Sequence, residues 1–304
     1  MRPFAPITVE SAAQLAPLGQ ASCGFITEAA WSPDGALLAL GHAGGVWLWR
    51  GGFGGAPTLM LRDHDGPVKG LCFHPTAPLL ATASADTTVR LWDTHSGATI
   101  RTFAGHGEGV NSVAFNRDGT LLLTGGGDEI VRLFDVASGR LIRAFNGHSN
   151  EIRRVRFALD DAVAVSGGWD RSARLWQVDS GALIAVLEHE DWVRDLAVSP
   201  DGRLLATAGK EGLLAVWDAQ TSRPIRRIAA HEDGVDCVTF SPDDALIATG
   251  GRDHAARLWE SSSGTPAAEL TAHTRPVLTL AFHPNGRLLA SGAGDNLLIL
   301  WGIS

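Results

Sequence analysis

The chain has 304 residues, is 45% hydrophobic and carries a net charge of −8, so it can bury a large core but has no general excess of positive charge. Because phosphate backbones and anionic membranes are bound through Lys and Arg, this balance argues against a nucleic-acid or membrane-surface protein. Three cysteines, Cys23, Cys72 and Cys237, are too few and too far apart for a disulfide framework or a metal motif. We therefore predict reduced thiols, no metal and no cofactor.

The first 20 residues contain no apolar run typical of a signal peptide or a membrane helix, so a cytoplasmic location is the expectation. Two short stretches in this segment, residues 7–9 and 15–18, have the composition of strands. They precede the first copy of an internal repeat.

From residue 21 onward the sequence repeats with a period of about 42 residues, as from His64 to His106. In the copy at residues 104–145, alternating apolar residues between Gly- and Asp-rich turns predict four short strands. The period is visible in a histidine series and in an aromatic series: His64, His106, His148, His189, His231 and His273, and Trp49, Trp92, Phe134, Trp176, Trp217, Trp259 and Trp301.

A four-stranded sheet leaves both of its faces uncovered, and stacking such sheets radially in a closed ring covers them. The repeat therefore predicts an all-β fold, a seven-bladed β-propeller with four antiparallel strands per blade. We predict a single domain over residues 1–304, with Trp-ended blade units near residues 21–49, 64–92, 106–134, 148–176, 189–217, 231–259 and 273–301.

Two dipeptides of the repeat, Gly-His and Trp-Asp, are typical of one family. Gly-His is present at residues 105–106 and 147–148, and Trp-Asp at residues 92–93 and 217–218. Over essentially its whole length the chain resembles the WD-repeat (Trp-Asp repeat) β-propeller family. The resemblance implies that an N-terminal strand, within residues 1–20, completes the C-terminal blade, whose last unit ends after three strands at Trp301.

Serine, histidine and aspartate recur together and could be mistaken for a hydrolase triad. An acidic residue follows each histidine by 22 positions, a hydroxyl residue lies four positions before the acid, and an aromatic residue lies six after it. Six copies at one spacing indicate a structural hydrogen-bond network, which the resemblance also implies. The complete sets are His64, Thr82, Asp86 and Trp92; His148, Ser166, Asp170 and Trp176; His231, Thr249, Asp253 and Trp259; and His273, Ser291, Asp295 and Trp301.

Three blades depart from the complete set, and we expect them to be the loosest. Blade three has Phe134 where the others have Trp, and blade five has Glu211 where the others have Asp. Blade one lacks the set: Ser22, Ala39 and Ala43 occupy the positions of the histidine, the hydroxyl residue and the acid, respectively.

The loops that carry the histidines and the acids should lie on one face of the ring, where the family often binds partners. On that face, blades four to six concentrate basic and aromatic residues, the residue types enriched in binding hot spots. The predicted partner-binding residues are Lys69, Asn111, Arg153, Trp169, Trp192, Arg194, Lys210, Asp236 and Arg252.

An alternative is that these cations pair with Glu151, Asp191, Asp233 and Asp236, while the indoles lie against neighbouring loops. Trp47 is a further candidate for an exposed site on the outer wall, with packing against a neighbouring loop as the alternative.

The leading functional prediction is a non-enzymatic interaction scaffold, monomeric in isolation, that binds a protein or peptide with acidic or phosphorylated groups. One alternative is a sensor or regulatory module of a larger multidomain protein. Another is an enzyme with a site at the channel mouth, for which His42, Asp236 and Arg252 are the only non-repeating set. We predict no catalytic residues.

Overall fold

The computed structural model describes residues 4–51 and 56–303, which form 28 β-strands and one 3-10 helix, Ala12–Gln14. None of the helical structure in these ranges has the length and apolar character needed to cross a membrane. In chain order the strands are β1 Ala16–Ser22; β2 Ile26–Trp31, β3 Leu37–His42, β4 Gly45–Arg50 and β5 Leu59–Leu61; β6 Val68–Phe73, β7 Leu79–Ser84, β8 Val89–Asp93 and β9 Thr99–Phe103; β10 Val110–Phe115, β11 Leu121–Gly126, β12 Val131–Asp135 and β13 Leu141–Phe145; β14 Ile152–Ala158, β15 Val163–Gly168, β16 Ser172–Gln177 and β17 Leu183–Glu188; β18 Val193–Val198, β19 Leu204–Gly209, β20 Leu213–Asp218 and β21 Pro224–Ala229; β22 Val235–Phe240, β23 Leu246–Gly251, β24 Ala256–Glu260 and β25 Pro266–Leu270; and β26 Val277–Phe282, β27 Leu288–Ala293 and β28 Leu297–Gly302.

These strands form seven antiparallel sheets of four strands each, which are the blades. Blades one to six contain β2–β5, β6–β9, β10–β13, β14–β17, β18–β21 and β22–β25, each in sequence order. The first strands of adjacent blades pack against each other around the ring axis. The predicted seven-bladed propeller is therefore confirmed.

The ring closes through blade seven, whose strand order is β1-β28-β27-β26. Strand β1 runs antiparallel to β28, with Ala16 opposite Gly302 and Ser22 opposite Leu297. The N-terminal strand thus covers the edge that β28 would otherwise expose, as predicted. The pairing segment extends to residue 22, and the stretch at residues 7–9 forms no strand; instead Ile7 is buried against the core of blades six and seven.

The core lies between the blades, because alternate residues of each strand point toward opposite neighbours. Between blades two and three, for example, Val89 and Leu91 of one blade pack with Val113 and Phe134 of the other. Phe134 takes the place of the repeat tryptophan and packs edge-on against Phe103, with ring centroids 5.5 Å apart. Phenylalanine in place of tryptophan therefore removes a hydrogen-bond donor but leaves the apolar packing in place.

The close approach of blades two and three explains why residue 70 is a glycine. A Cβ atom at Gly70 would lie 2.5 Å from the carbonyl oxygen of Asn111 and 3.0 Å from the Cα of Ser112 in the next blade. The missing side chain lets the first strands of blades two and three meet backbone to backbone.

Candidate partner-binding site

Two sets of connections share one side of the ring, which we call the His face. They are the loops that enter the first strand of each blade and the turns that join its second and third strands. The repeat histidines lie in the former and the repeat acids in the latter, so the two residue types meet at this face.

Blade two shows the hydrogen-bond network of the repeat. His64 Nδ1 lies 2.7 Å from Asp86 Oδ2, and His64 Nε2 lies 2.8 Å from Thr82 Oγ1. Trp92 Nε1 donates to the same hydroxyl over 2.8 Å. An ionised Asp86 can only accept, so the neutral imidazole carries its proton on Nδ1, and its bare Nε2 accepts from the hydroxyl, which in turn accepts from the indole.

Blades four, six and seven contain the same three links. Each histidine bridges its acid and its hydroxyl, and the tryptophan donates to that hydroxyl. The distances from hydroxyl oxygen to His Nε2 are 2.7 Å for Ser166 and His148, 2.9 Å for Thr249 and His231, and 2.7 Å for Ser291 and His273.

Burial and hydrogen bonding set the charges in these networks. Burial alone would raise the pKa of Asp86, but hydrogen bonds from Thr88 and His64 outweigh it and lower the pKa to about 2. Burial lowers the pKa of His64, and the attraction of Asp86 offsets this only in part. The network therefore holds an ionised carboxylate against a neutral imidazole near neutral pH.

Blade five has a broken network. His189 Nδ1 contacts Glu211 Oε1 at 3.1 Å, and Trp217 Nε1 donates to Thr207 over 2.9 Å. His189 Nε2 and Glu211 Oε2 are buried and have no hydrogen-bond partner among the described residues. The imidazole that is paired with this longer acid does not reach the hydroxyl that it reaches in the other blades.

Blades three and one also depart from the complete set of network residues, with different consequences. In blade three His106 still reaches Thr124 over 2.8 Å, and Arg132 NH1 donates to Asp128 over 2.6 Å. In blade one, Ser22 pairs with Leu297 at the end of β1 and belongs to the sheet of blade seven. That these blades are loosest stays a prediction.

The set His148, Ser166 and Asp170 has the distances of a hydrolase triad but not its accessibility. Ser166 is 0% exposed, and its oxygen already accepts from Trp176 Nε1 over 2.9 Å. A nucleophile must reach a substrate atom, so a buried hydroxyl held by two partners is a structural group.

At the junction of blades four and five, four side chains stack in layers, and we call them the Trp ladder. The indoles of Trp169 and Trp192 stack with centroids 4.7 Å apart and planes inclined by 20°. The guanidinium carbon of Arg153 lies 5.2 Å from the Trp169 ring centroid, and Lys210 Nζ lies 4.5 Å from that of Trp192. Both cations thus lie within the distance at which a ring face attracts them.

Acidic neighbours pair with the cations of this face, which is the alternative to partner binding that the sequence offered. Arg153 NH1 lies 3.0 Å from Glu151 and Lys210 Nζ lies 3.3 Å from Asp191. Within the described parts of the chain Asp233 has no ion pair. The ladder is therefore neutralised locally, and a partner would have to compete with these carboxylates.

Several predicted partner-binding residues are too buried for direct contact. Asn111 is 3% exposed; it accepts from Lys69 Nζ over 2.9 Å and donates to Glu151 over 2.7 Å. Arg194 and Asp236 form a 2.5 Å ion pair, and each side chain is 10% exposed. These residues bridge adjacent blades beneath the surface, which leaves the Trp ladder and the exposed Arg252, 3.2 Å from Asp236, as the accessible part.

The channel-mouth set does not assemble. His42 accepts from the backbone of Gly44 over 2.9 Å, and its ring packs on Trp47 with centroids 4.6 Å apart. No contact among the described residues joins it to Asp236 or Arg252. Trp47 is half-buried within its own blade, 5.9 Å from the ring of Trp49, so it is no freely exposed outer-wall site.

A cluster of charges lies inside the ring, and the repeat pattern did not predict it. Arg154 donates through NH1 to Glu28 over 2.5 Å and through Nε to Asp195, so it joins blades one, four and five. Arg156 lies beside it, with NH2 4.0 Å from Glu28. The signal in the sequence that could have revealed this cluster is the presence of charged residues in first strands that are otherwise apolar. No three His, Cys, Asp or Glu residues in the described chain are grouped to hold a metal ion.

Similar proteins match parts of this chain. Protein HIR1 of Cryptococcus neoformans var. neoformans serotype D is 38% identical over 81 residues, which are 26% of this chain and 9% of that protein. Nuclear distribution protein PAC1 of the same organism is 52% identical over 46 residues, 15% of this chain and 11% of that protein. THO complex subunit 3 of Arabidopsis thaliana is 40% identical over 73 residues, 22% of this chain and 23% of that protein. The chain thus spans less than a quarter of each of these relatives.

The sequence profile of one family matches most of the chain. Each match begins before the fourth strand of one blade and ends with the third strand of the next, so a sequence repeat straddles two blades. The matched segments are residues 55–93, 97–135, 139–177, 181–218, 222–260 and 264–302. With its seven blades and its His–hydroxyl–Trp networks, the chain belongs to the WD40 family, described as WD domain, G-beta repeat.

Proposed function

We propose that this protein is a non-enzymatic scaffold that binds a peptide or protein partner on the His face, through the Trp ladder. WD40 propellers are a protein-interaction type of scaffold. The observation that carries the proposal is the stack Arg153–Trp169–Trp192–Lys210, which presents two half-buried indoles bracketed by two cations.

The chemistry of the ladder favours a partner with acidic or phosphorylated side chains next to apolar ones. The side chains of Arg153 and Lys210 are 35% and 42% exposed, so an incoming anion can replace Glu151 and Asp191 as their counter-ion. The half-buried rings of Trp169 and Trp192 offer apolar area at low entropic cost. Trp and Arg are also the side chains most often found at binding hot spots.

The test begins with affinity capture from source lysate by the wild-type chain and by a Trp169→Ala, Trp192→Ala variant. Phe25→Ala is the matched control, since Phe25 is an exposed aromatic residue that enters blade one on the same face. A protein retained by wild type and the control but lost by the double variant is then purified. Its binding segment is titrated by calorimetry, with and without phosphorylation.

We expect Trp192→Ala to weaken that segment's binding by about tenfold or more, as for a hot-spot truncation. Arg153→Gln and Lys210→Gln should weaken binding less and reduce its salt dependence. Identical captures by all variants would refute the role of the ladder. That outcome would favour a regulatory module whose His face is occupied within a longer protein. Cytoplasmic location and a monomeric state remain predictions.

A further inference from the structure

A cavity of about 580 Å³ lies along the ring axis. It is lined by the first strands of all seven blades and by the turns that follow them, so it opens on the side opposite the His face. Its volume is in the range of roughly 300–1,000 Å³ that is typical of small-molecule sites.

The inner charges of this cavity are already satisfied. Arg154 lies between Glu28 and Asp195, and both acids also accept backbone N–H groups, from Leu71 and Val238 respectively, over 2.9 Å. This triad links blades one, four and five, and every oxygen of its two carboxylates already accepts a hydrogen bond.

Arg156 differs from Arg154, because no carboxylate of the described residues forms a hydrogen bond with it. Its NH1 donates to the carbonyl of Val155 over 2.9 Å, and this is its one hydrogen bond among the described residues. The nearest carboxylate is Glu28, 4.0 Å from its NH2 and held instead by Arg154. The side chain is 32% exposed and lines the cavity. Burial, followed by the repulsion of Arg154, lowers the pKa of Arg156, as expected for a cation without a matched counter-ion.

Apolar residues make up much of the wall around Arg156. Phenylalanines recur at one position of the first strands and line the cavity in five blades, with Trp31 in blade one. They are Phe73, Phe115, Phe157, Phe240 and Phe282. A guanidinium with free donors in a partly enclosed space that is walled in part by phenylalanines favours a carboxylate joined to an apolar body.

We propose that the axial cavity is a second binding site, which takes a small amphipathic carboxylate with its anionic group on Arg156 and its apolar part against the phenylalanines. This site lies on the opposite side of the ring from the Trp ladder and is independent of the proposed partner.

Isothermal titration with decanoate, hexanoate and 4-phenylbutyrate tests this site, with 4-phenylbutylamine as the probe of opposite charge. We expect saturable binding of at least one carboxylate with one site per chain, and none of the amine. Arg156→Gln should weaken the carboxylate by about tenfold or more, the loss expected for charge-assisted hydrogen bonds. Arg171→Gln, at an exposed arginine in the turn between β15 and β16, is the matched control and should leave binding unchanged.

Two further variants keep the result interpretable if Arg156→Gln does not fold. Arg156→Lys retains the charge and should bind with reduced affinity, while Thr239→Phe places a ring in the cavity and should abolish binding. Equal binding of acid and amine, unchanged affinity in Arg156→Gln, or no saturable carboxylate binding up to about 5 mM would each overturn the proposal. None of these outcomes depends on the Trp ladder.

Discussion

Replacing Glu211 by Asp should stabilise the protein, because blade five alone combines the histidine, hydroxyl and tryptophan with a longer acid. The carboxylate of Glu211 folds back over Gly209, and His189 keeps only the contact to it. Aspartate at the matching position of blade six holds His231 2.9 Å from Thr249. The substitution should let His189 Nε2 accept from Thr207 in the same way.

The expected gain follows from the two buried atoms without partners, His189 Nε2 and Glu211 Oε2. A hydrogen bond contributes about 1 kcal/mol, and a buried polar group left unpaired costs about 1–3 kcal/mol. Removing a methylene and its apolar contacts costs about 0.8 kcal/mol. Pairing His189 Nε2 alone, at about 2 kcal/mol in the middle of that range, less about 0.8 kcal/mol for the methylene, gives a net gain in the free energy of unfolding of about 1 kcal/mol, a rise in Tm of roughly 2 °C.

Calorimetry and urea unfolding of wild type and Glu211→Asp measure this gain. The reciprocal change, Asp253→Glu in blade six, is the matched control and should destabilise by a similar amount. An unchanged or lower stability in Glu211→Asp, together with a tolerated Asp253→Glu, would show that the length of the acid does not decide whether the network closes.

Three further experiments test the packing between blades two and three, the charge state of the repeat histidines and the closure of the ring by β1. Gly70→Ala should lower stability by about 1–3 kcal/mol in urea unfolding, because its Cβ would meet the backbone of blade three, whereas Gly107→Ala, with its nearest atom 3.9 Å away, should be nearly neutral; equal effects would refute the close approach. Burial lowers the pKa of His64 and of His106, so these side chains bind protons more readily in the unfolded chain than in the folded one. Their contribution to the free energy of unfolding should therefore be fully present above about pH 6.5 and should fall as the pH drops toward their folded pKa values. Melting scans from pH 7.5 to 5 would contradict this with a constant Tm. Deleting residues 1–22 removes β1 and exposes the edge of β28, so the chain should aggregate and melt lower in light-scattering and calorimetric assays; a soluble monomer with unchanged Tm would contradict this.

The networks could be predicted from sequence because they repeat. The interval of 22 residues between His64 and Asp86 occurs in six blades, and each copy lies within one blade, so the spacing predicted which residues meet. The same regularity predicted seven blades, and the resemblance to the WD-repeat family implied the closing strand. Blade five shows the limit, since one methylene in Glu211 changes the geometry without changing the pattern.

The repeat named the acids near the cations of the His face but did not show which cation in which blade each acid would pair with. Arg194 finds its counter-ion Asp236 in the next blade, 42 residues away, and this pairing removes both from the accessible surface. Arg154 reaches Glu28 over a separation of 126 residues, across the centre of the ring. Such pairs depend on the curvature of the assembled ring, which no single repeat contains.

The offset between sequence repeat and blade also determines how the molecule can be divided. A cut at residues 136–140 would leave β10–β12 on one fragment and β13, the fourth strand of the same blade, on the other. The first fragment would also carry β1, which belongs beside β28 on the second. Each half would then hold a strand that completes a sheet of the other half. Two separately produced fragments would have complementary edges at both junctions, and their reassembly would reconstitute the ring without a covalent link between them.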